Sequence, residues 1–287
     1  MATTPRTINV MRDHQLAVKS FRDLHVEGCF LLPNPFDVGT AIYLKHLGFQ
    51  ALATTSAGFA FTRGLPDEVS AISRKEMLAH IREIVSATPL PVNADFQNGY
   101  ADEPEAVAES VRLCVETGVA GLSIEDNSGD NSKPLYDETL AVERVKAARQ
   151  AIDDTSIPVV LTARCEAWLV GDPKPFETAL RRLVAFADSG ADCLYAPGVT
   201  DIGEIKAIVK AVSPKPINVL VSRPLPNLTL GKLADLGVRR ISVGSALSRV
   251  AWGAFIRAAQ NIFDTGEFES LAGGASFAEL NEIFGKR

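Results

Sequence analysis

The feature that most constrains this chain is an alternation repeated along it. A short apolar run meets a polar or glycine-bearing break, and a segment with helical apolar spacing follows. The apolar runs are Cys29–Leu32, Ala51–Thr55, Pro91-Val92 leading into Asn93-Ala94-Asp95, Ala120–Ile124, Pro158–Ala163, Asp192–Tyr195, Ile217–Val221 and Arg240–Val243. Between them lie the helical patterns Val38–Leu47, Arg74–Ser86, Glu103–Thr117, Glu138–Ile152, Phe176–Ser189, Ile202–Val212 and Leu228–Leu236. Strand–helix units at roughly 20–40 residue intervals predict an α/β fold of the TIM (β/α)8 barrel type. A doubly wound open sheet would carry a glycine-rich fingerprint after its first strand, and Pro33-Asn34-Pro35-Phe36 offers none.

A length of 287 residues suits one barrel. The expected domain is 1–287, with a barrel core of about 28–244 and a C-terminal helical extension over 245–287. A helix is expected over Arg12–Asp23 before the first strand. Asp37 and Asp102 are positioned as helix N-caps. The segment Ala246–Phe263 is strongly apolar and contains Trp252. An apolar helix added to a finished barrel is expected to pack on a neighbouring subunit, which predicts an oligomer.

A net charge of −6 excludes the basic face that phosphate-backbone binding needs, so no nucleic-acid partner is expected. No run approaches the ~18 apolar residues of a membrane span, and the first residues lack the apolar centre of a signal peptide. The four cysteines, Cys29, Cys114, Cys165 and Cys193, are far apart and form no CxxC. A reducing cytoplasm is the expected location.

Barrel enzymes take their catalytic groups from the C-terminal ends of strands. Here those ends supply Ser56, Asn93, Asp95, Glu125, Asp126, Arg164, Glu166 and Asn218, with Asp67 on the connection after the second strand. The four histidines, His14, His25, His46 and His80, all lie elsewhere. An all-oxygen set suits Mg²⁺ or Mn²⁺ rather than zinc. Arg164 is suited to bidentate capture of a substrate carboxylate or phosphonate. Ser56-Ala57-Gly58 is either an ordinary turn or a cradle for an anionic oxygen. Asp126 is either a participant in the chemistry or only a supporting, loop-stabilising group. Cys165 sits where a nucleophile could, yet reads more readily as a small buried hydrophobe, and Glu166 is either a proton-transfer group or a partner that orients Arg164.

The motifs Asn34-Pro-Phe-Asp37, Thr54-Thr-Ser-Ala-Gly58, Gly64-Leu-Pro-Asp67, Val92-Asn-Ala-Asp95, Ser123-Ile-Glu-Asp126 and Thr162-Ala-Arg164 fall in order at successive strand ends. Together they resemble the isocitrate lyase and phosphoenolpyruvate mutase superfamily over residues 25 to 265. The resemblance implies a TIM-type barrel, a Mg²⁺ cofactor, 2-oxo or 2-hydroxy acid substrates, and homotetramers that exchange a C-terminal helix. It implies that Ser56, Ala57 and Gly58 hold a substrate carboxylate or phosphonate. Asp67, Asp95 and Glu125 would hold the metal, with Asn93 beside them. Arg164, Asp67 and Glu125 would serve catalysis, and Asn218 would add a polar contact to substrate.

Two departures shape the functional expectation. Asn93 stands where superfamily members usually carry the first aspartate of an Asp-Ala-Asp. The loop from Asn127 to Asp137 lacks the Lys-Lys/Arg-Cys-Gly-His lid of isocitrate and methylisocitrate lyases, having neither cysteine nor histidine. Decarboxylation of oxaloacetate needs no lid acid, because CO2 leaves uncharged. The expected activity is therefore that of a Mg²⁺-dependent carbon–carbon lyase, decarboxylase-like, acting on a small 2-oxo or 2-hydroxy dicarboxylic acid. The alternatives are phosphorus–carbon chemistry on phosphonopyruvate-type substrates, or a 2-oxo acid binder without turnover.

Overall fold

The computed structural model describes residues 5–69, 71–226 and 228–285. Eight parallel strands form its centre: β1 (Phe30–Leu32), β2 (Leu52–Ala53), β3 (Val92–Asp95), β4 (Gly121–Glu125), β5 (Val160–Arg164), β6 (Cys193–Tyr195), β7 (Ile217–Leu220) and β8 (Arg240–Ser242). Each pairs with its sequence neighbour from β2 to β8, and β8 pairs with β1. The remaining seam lies between β1 and β2. Just beyond β1, the Ala53 amide donates to the Pro33 carbonyl at 3.0 Å. Asn34 completes the closure: its Nδ2 donates to the Thr54 carbonyl at 2.8 Å, while its Oδ1 accepts from the amides of Val243 and Gly244 at 3.0 and 2.9 Å. One buried amide side chain thus ties the first two strands to the last.

Alternation along each strand divides its residues between two environments. Leu122, Ile124, Leu161, Ala163, Leu194, Val219 and Ile241 belong to the buried core shared with the helices. The opposite parity fills the interior, as the long reach of Arg240 proves: from β8 its Nη2 donates to Thr162 Oγ1 on β5 at 3.0 Å, which it can do only by crossing the barrel. Its Nε donates to Asn218 Oδ1 at 2.9 Å, and Asn218 Nδ2 donates to Ser242 Oγ at 2.8 Å.

The helices are α1 (Pro5–Leu24), α2 (Val38–His46), α3 (Ser56–Thr62), α4 (Arg74–Ala87), α5 (Pro104–Val115), α6 (Glu138–Asp154), α7 (Pro175–Asp188), α8 (Ile202–Val212), α9 (Leu230–Asp235), α10 (Ala246–Thr265) and α11 (Phe277–Gly285). Helix α1 meets the strands at the floor of the barrel. Phe21 is fully buried there, edge-on to His25 and Phe30. A Cβ at Gly121 would stand 2.7 Å from Phe21 Cε1 and 3.1 Å from the Val160 carbonyl oxygen, so glycine is the residue that lets this helix close the floor. His25 Nδ1 lies 2.7 Å from the Phe21 carbonyl and Nε2 lies 3.3 Å from Arg240. Burial, then the Arg240 charge, push the imidazole down to about 3, so it is neutral and its Nε2 accepts from the guanidinium.

Local signals account for several elements. Asp37 caps α2 in a reciprocal box with Thr40, as expected. Asp102 does not cap α5: the cap position is Glu103, without a side-chain bond, and the Asp102 carboxylate accepts from the Tyr136 hydroxyl instead. A partner 34 residues away has displaced the local role. Ser56-Ala57-Gly58 opens α3, where a turn and a polar connection were expected. Ala57, Gly58, Phe59 and Ala60 are all buried, so the segment has no polar face to reveal a helical period. Helix α1 starts at Pro5, ahead of the expected Arg12. At the C-terminus, α11 packs back on α2 of the same chain, while α10 leaves Phe255 62% and Phe263 85% exposed. Among the described residues no helix is long and apolar enough to cross a membrane.

Candidate active site

The C-terminal ends of the strands surround a cavity of about 400 Å³. Its acidic wall carries Asp67, Asp95, Glu125 and Glu166, with Arg164 among them; Ser222, Gly244, Ser245 and Arg249 lie on the β7 and β8 side. Arg164 is the hub. Its Nη1 lies 3.4 Å from Asp95 Oδ1 and 3.4 Å from Glu125 Oε2, its Nε donates to Glu166 Oε1, and its guanidinium carbon stands 5.1 Å from the centre of the Tyr195 ring. Burial opposes the charge of Arg164, but the surrounding carboxylates outweigh it and hold the guanidinium firmly protonated.

Asp95 is bonded on its other side by residues of α3. Its Oδ2 accepts from the Ser56 amide at 2.9 Å and the Ser56 hydroxyl at 2.8 Å. Of the Ser56–Gly58 cradle, Ser56 is thus bonded to Asp95 in this state, and the Gly58 amide donates to Thr55 Oγ1 at 3.1 Å. Ser56 and Ala57 line the cavity, and Gly58 is buried behind them. The close approach of Thr55 Cγ2, 2.5 Å from where a Gly58 Cβ would stand, makes glycine necessary there.

Five acidic residues, Glu68 with the four above, line the cavity against two arginines, Arg164 and Arg249, and leave an excess of negative charge in a partly desolvated place. The consequence is visible in their protonation. Burial raises Glu125 well above the ordinary carboxylate range, Arg164 opposes this, and Glu166, Asp95 and Asp126 add to it. Burial likewise raises Glu166 against the pull of Arg164. Asp67 belongs to an exposed connection, yet desolvation at the cavity and the charge of Asp95 raise its carboxyl. Among the described residues no three His, Cys, Asp or Glu side chains converge as a ready metal-binding group. In donor chemistry, however, the set fits a hard divalent cation: it is all oxygen, and its carboxylates outnumber the positive charge available to them.

The other expected residues fall outside the cavity. Asn93 is buried within β3. Its Nδ2 donates to the Ala94 carbonyl at 3.2 Å, and its Oδ1 has no hydrogen-bond partner and stands 2.8 Å from where a Gly121 Cβ would be. It therefore occupies the layer beneath Asp95, near the floor. Asn218 belongs to the Arg240–Ser242 network inside the barrel. Asp126 anchors a loop: its Oδ2 accepts from Arg182 Nη1 at 2.9 Å, its Oδ1 from the Glu166 amide at 2.8 Å, and its carbonyl from the Tyr136 amide at 3.0 Å. Cys165 is buried, and burial, with the Asp126 charge, pushes its thiol far up, so it is not a thiolate nucleophile.

Sequence reasoning passed over Gln97, Tyr195 and Arg249, all of which line the cavity. Tyr195 ends an expected strand and so carried a usable signal. Arg249 lies on the helix after β8 and carried none. A family model described as phosphoenolpyruvate phosphomutase matches residues 21–263. The chain belongs to the isocitrate lyase and phosphoenolpyruvate mutase superfamily.

Within that superfamily the chain is 33% identical over 264 residues to an uncharacterized protein of Mycobacterium tuberculosis, covering 91% of this chain and 94% of the other. A crystal structure of a candidate lyase/mutase from Burkholderia cenocepacia is 45% identical, with a TM-score of 0.91 over 95% of this chain and 97% of that one. Oxaloacetate acetylhydrolase in complex with its product oxalate is 26% identical, with a TM-score of 0.84 and 95% of each chain covered.

Proposed function

We propose that this superfamily member is a divalent-metal-dependent carbon–carbon lyase that cleaves a small 2-oxo or 2-hydroxy dicarboxylic acid, with oxaloacetate decarboxylation as the favoured reaction. The observation that carries this reading is the acid-rich strand-end cavity around Arg164, facing a loop from Asn127 to Asp137 that offers no cysteine or histidine as proton donor. Asp67, Asp95 and Glu125 would hold Mg²⁺ or Mn²⁺, directly or through water. When bound, the metal would supply positive charge for the carboxylate and the C2 oxygen of the substrate, where negative charge gathers as the bond breaks.

The chain's own groups would do the rest. Arg164 is fixed by Glu166 and Tyr195, so its guanidinium can meet the developing enolate charge without reorienting. Ser56 holds Asp95 by two bonds and sets the direction of the second Asp95 oxygen. Asn93 bears no charge and lies beneath Asp95, so it adds no negative charge under the site. The exposed apolar face of α10 supports association of identical subunits, with a homotetramer as the proposed assembly and the cytoplasm as its location.

Purified protein with Mg²⁺ is incubated separately with oxaloacetate and with phosphonopyruvate, and pyruvate and phosphoenolpyruvate are followed. Pyruvate from oxaloacetate above the metal-only rate is expected. Pyruvate or phosphoenolpyruvate from phosphonopyruvate, with no pyruvate from oxaloacetate, would replace the reading with phosphorus–carbon chemistry, and metal-dependent binding with neither product would make the protein a binder.

A further inference from the structure

Gln97 carries an unusual concentration of local cost. Its φ is +45°, in the left-handed region where only glycine sits freely and asparagine is the commonest exception. Such a residue is strained and persists only where the surroundings require it. The side chain is only 6% exposed, it lines the site cavity, and its Oε1 is buried without a hydrogen-bond partner. The neighbouring strand end depends on it, because the Gln97 carbonyl accepts from the Glu125 amide at 2.9 Å.

The remaining bond gives the reason for glutamine. Its Nε2 donates to the Glu68 carbonyl at 3.4 Å, 29 residues away, on the connection that carries Asp67. The same carbonyl accepts from the Ala71 amide at 3.2 Å. Val69, next along, meets the loop after β4, where a Gly129 Cβ would stand 3.1 Å from Val69 Cβ. Glycine or asparagine would suit the backbone better at position 97, but glycine has no amide and asparagine is one methylene short. The chain keeps the residue that reaches.

We propose that Gln97 is a positioning residue that holds the Asp67 connection against the strand ends, so that the Asp67 carboxyl stays on the cavity wall shared with Asp95 and Glu125. The proposal rests on the metal-site reading above, and its test separates the two. Gln97→Asn and Gln97→Gly both relieve the backbone and remove the reach. Mn²⁺ alone is titrated into wild type and each variant by water-proton relaxation, amide exchange over 66–72 is measured without metal, and thermal midpoints are recorded.

The expected result is midpoints equal to or above wild type, faster exchange over 66–72, and Mn²⁺ binding weakened 10–100-fold, the usual effect of losing a group that orients a ligand. In an Asp67→Ala background, Gln97→Asn should weaken Mn²⁺ binding no further. Unchanged exchange and unchanged Mn²⁺ affinity in both variants would overturn the proposal, as would full additivity with Asp67→Ala. If wild type binds no Mn²⁺ the metal reading fails, and the exchange measurement still decides whether Gln97 holds the connection.

Discussion

Asp126→Asn tests whether the loop over the site hangs from a buried charge pair. The substitution is nearly isosteric and retains an oxygen for the Glu166 amide, but it removes the negative charge facing Arg182. That pair is buried on both sides, with side chains 1% and 8% exposed at 2.9 Å. Removing one member strands the other charge, which typically costs about 3–5 kcal/mol. Arg182 keeps its bond to the Tyr136 carbonyl at 2.7 Å, which places the expectation at the lower end. An unfolding entropy of roughly 2.1 cal/mol/K per residue corresponds to about 0.6 kcal/mol/K for this chain, so 3 kcal/mol lowers the midpoint by about 5 °C. Denaturant melts of wild type, Asp126→Asn, Arg182→Met and the double variant Asp126→Leu/Arg182→Met check this. The double variant should recover much of the loss, because well-packed apolar groups often replace a buried pair without penalty. The folded Asp126→Asn protein should still bind Mn²⁺, unlike Asp95→Ala, since Asp126 does not line the cavity. A loss below about 1 kcal/mol in Asp126→Asn would refute the reasoning that this pair anchors the loop.

Asp95→Ala should remove Mg²⁺-dependent turnover and Mn²⁺ binding while circular dichroism stays unchanged; full activity would end its assignment as a ligand. Glu125, Glu166 and Asp67 titrate higher folded than unfolded, so the folded state holds extra protons above about pH 4 and stability falls as pH rises through that window. His25 and His80, lowered to about 3 and about 4, act oppositely, and their contribution is complete by about pH 6.5. Melts of metal-free Glu125→Gln should therefore lack part of the falling contribution that wild type shows as pH rises above about 4, and Mg²⁺ should flatten the wild-type fall; identical pH profiles for the two proteins would contradict it. Gly121→Ala should cost about 1–3 kcal/mol, because the Val160 carbonyl oxygen at 3.1 Å is backbone and cannot swing aside; a denaturant midpoint equal to wild type would show that the floor can yield. Phe255→Glu with Phe263→Glu should lower the mass measured by light scattering if the α10 face joins subunits, and an unchanged mass would exclude that face.

The barrel was legible because each strand is an apolar run of the right length before a helical period, a signal that survives without tertiary context. Position at the close of each apolar run likewise placed Asp95, Glu125 and Arg164 at one end of the sheet. What it could not supply was depth: Asn93 and Asp95 share a parity, and only the stagger between strands decides which of them meets the cavity. The roles of Asp102 and Gln97 were hidden for a different reason. Both side chains bond to residues about 30 positions away, so no window around them holds the cause. Helix α3 escaped because it is short and its central run Ala57–Ala60 is wholly buried, which erases the contrast that periodicity needs.

Closure of the barrel by its last strand sets an order on how this protein can come into being. His25 meets Arg240 across 215 residues, and Asn34 bonds the backbone at Val243 and Gly244 across about 210. A chain emerging from the ribosome at roughly 5–20 residues per second spends tens of seconds with α1 made and its final partners unmade. During that interval Phe21 has no completed ring to enter, and the seam beside β1 stands open as a strand edge. Helix α1 is therefore made before every strand it closes on and is among the last parts to find its place, and the nascent chain is exposed to misassembly until the eighth strand has left the exit tunnel.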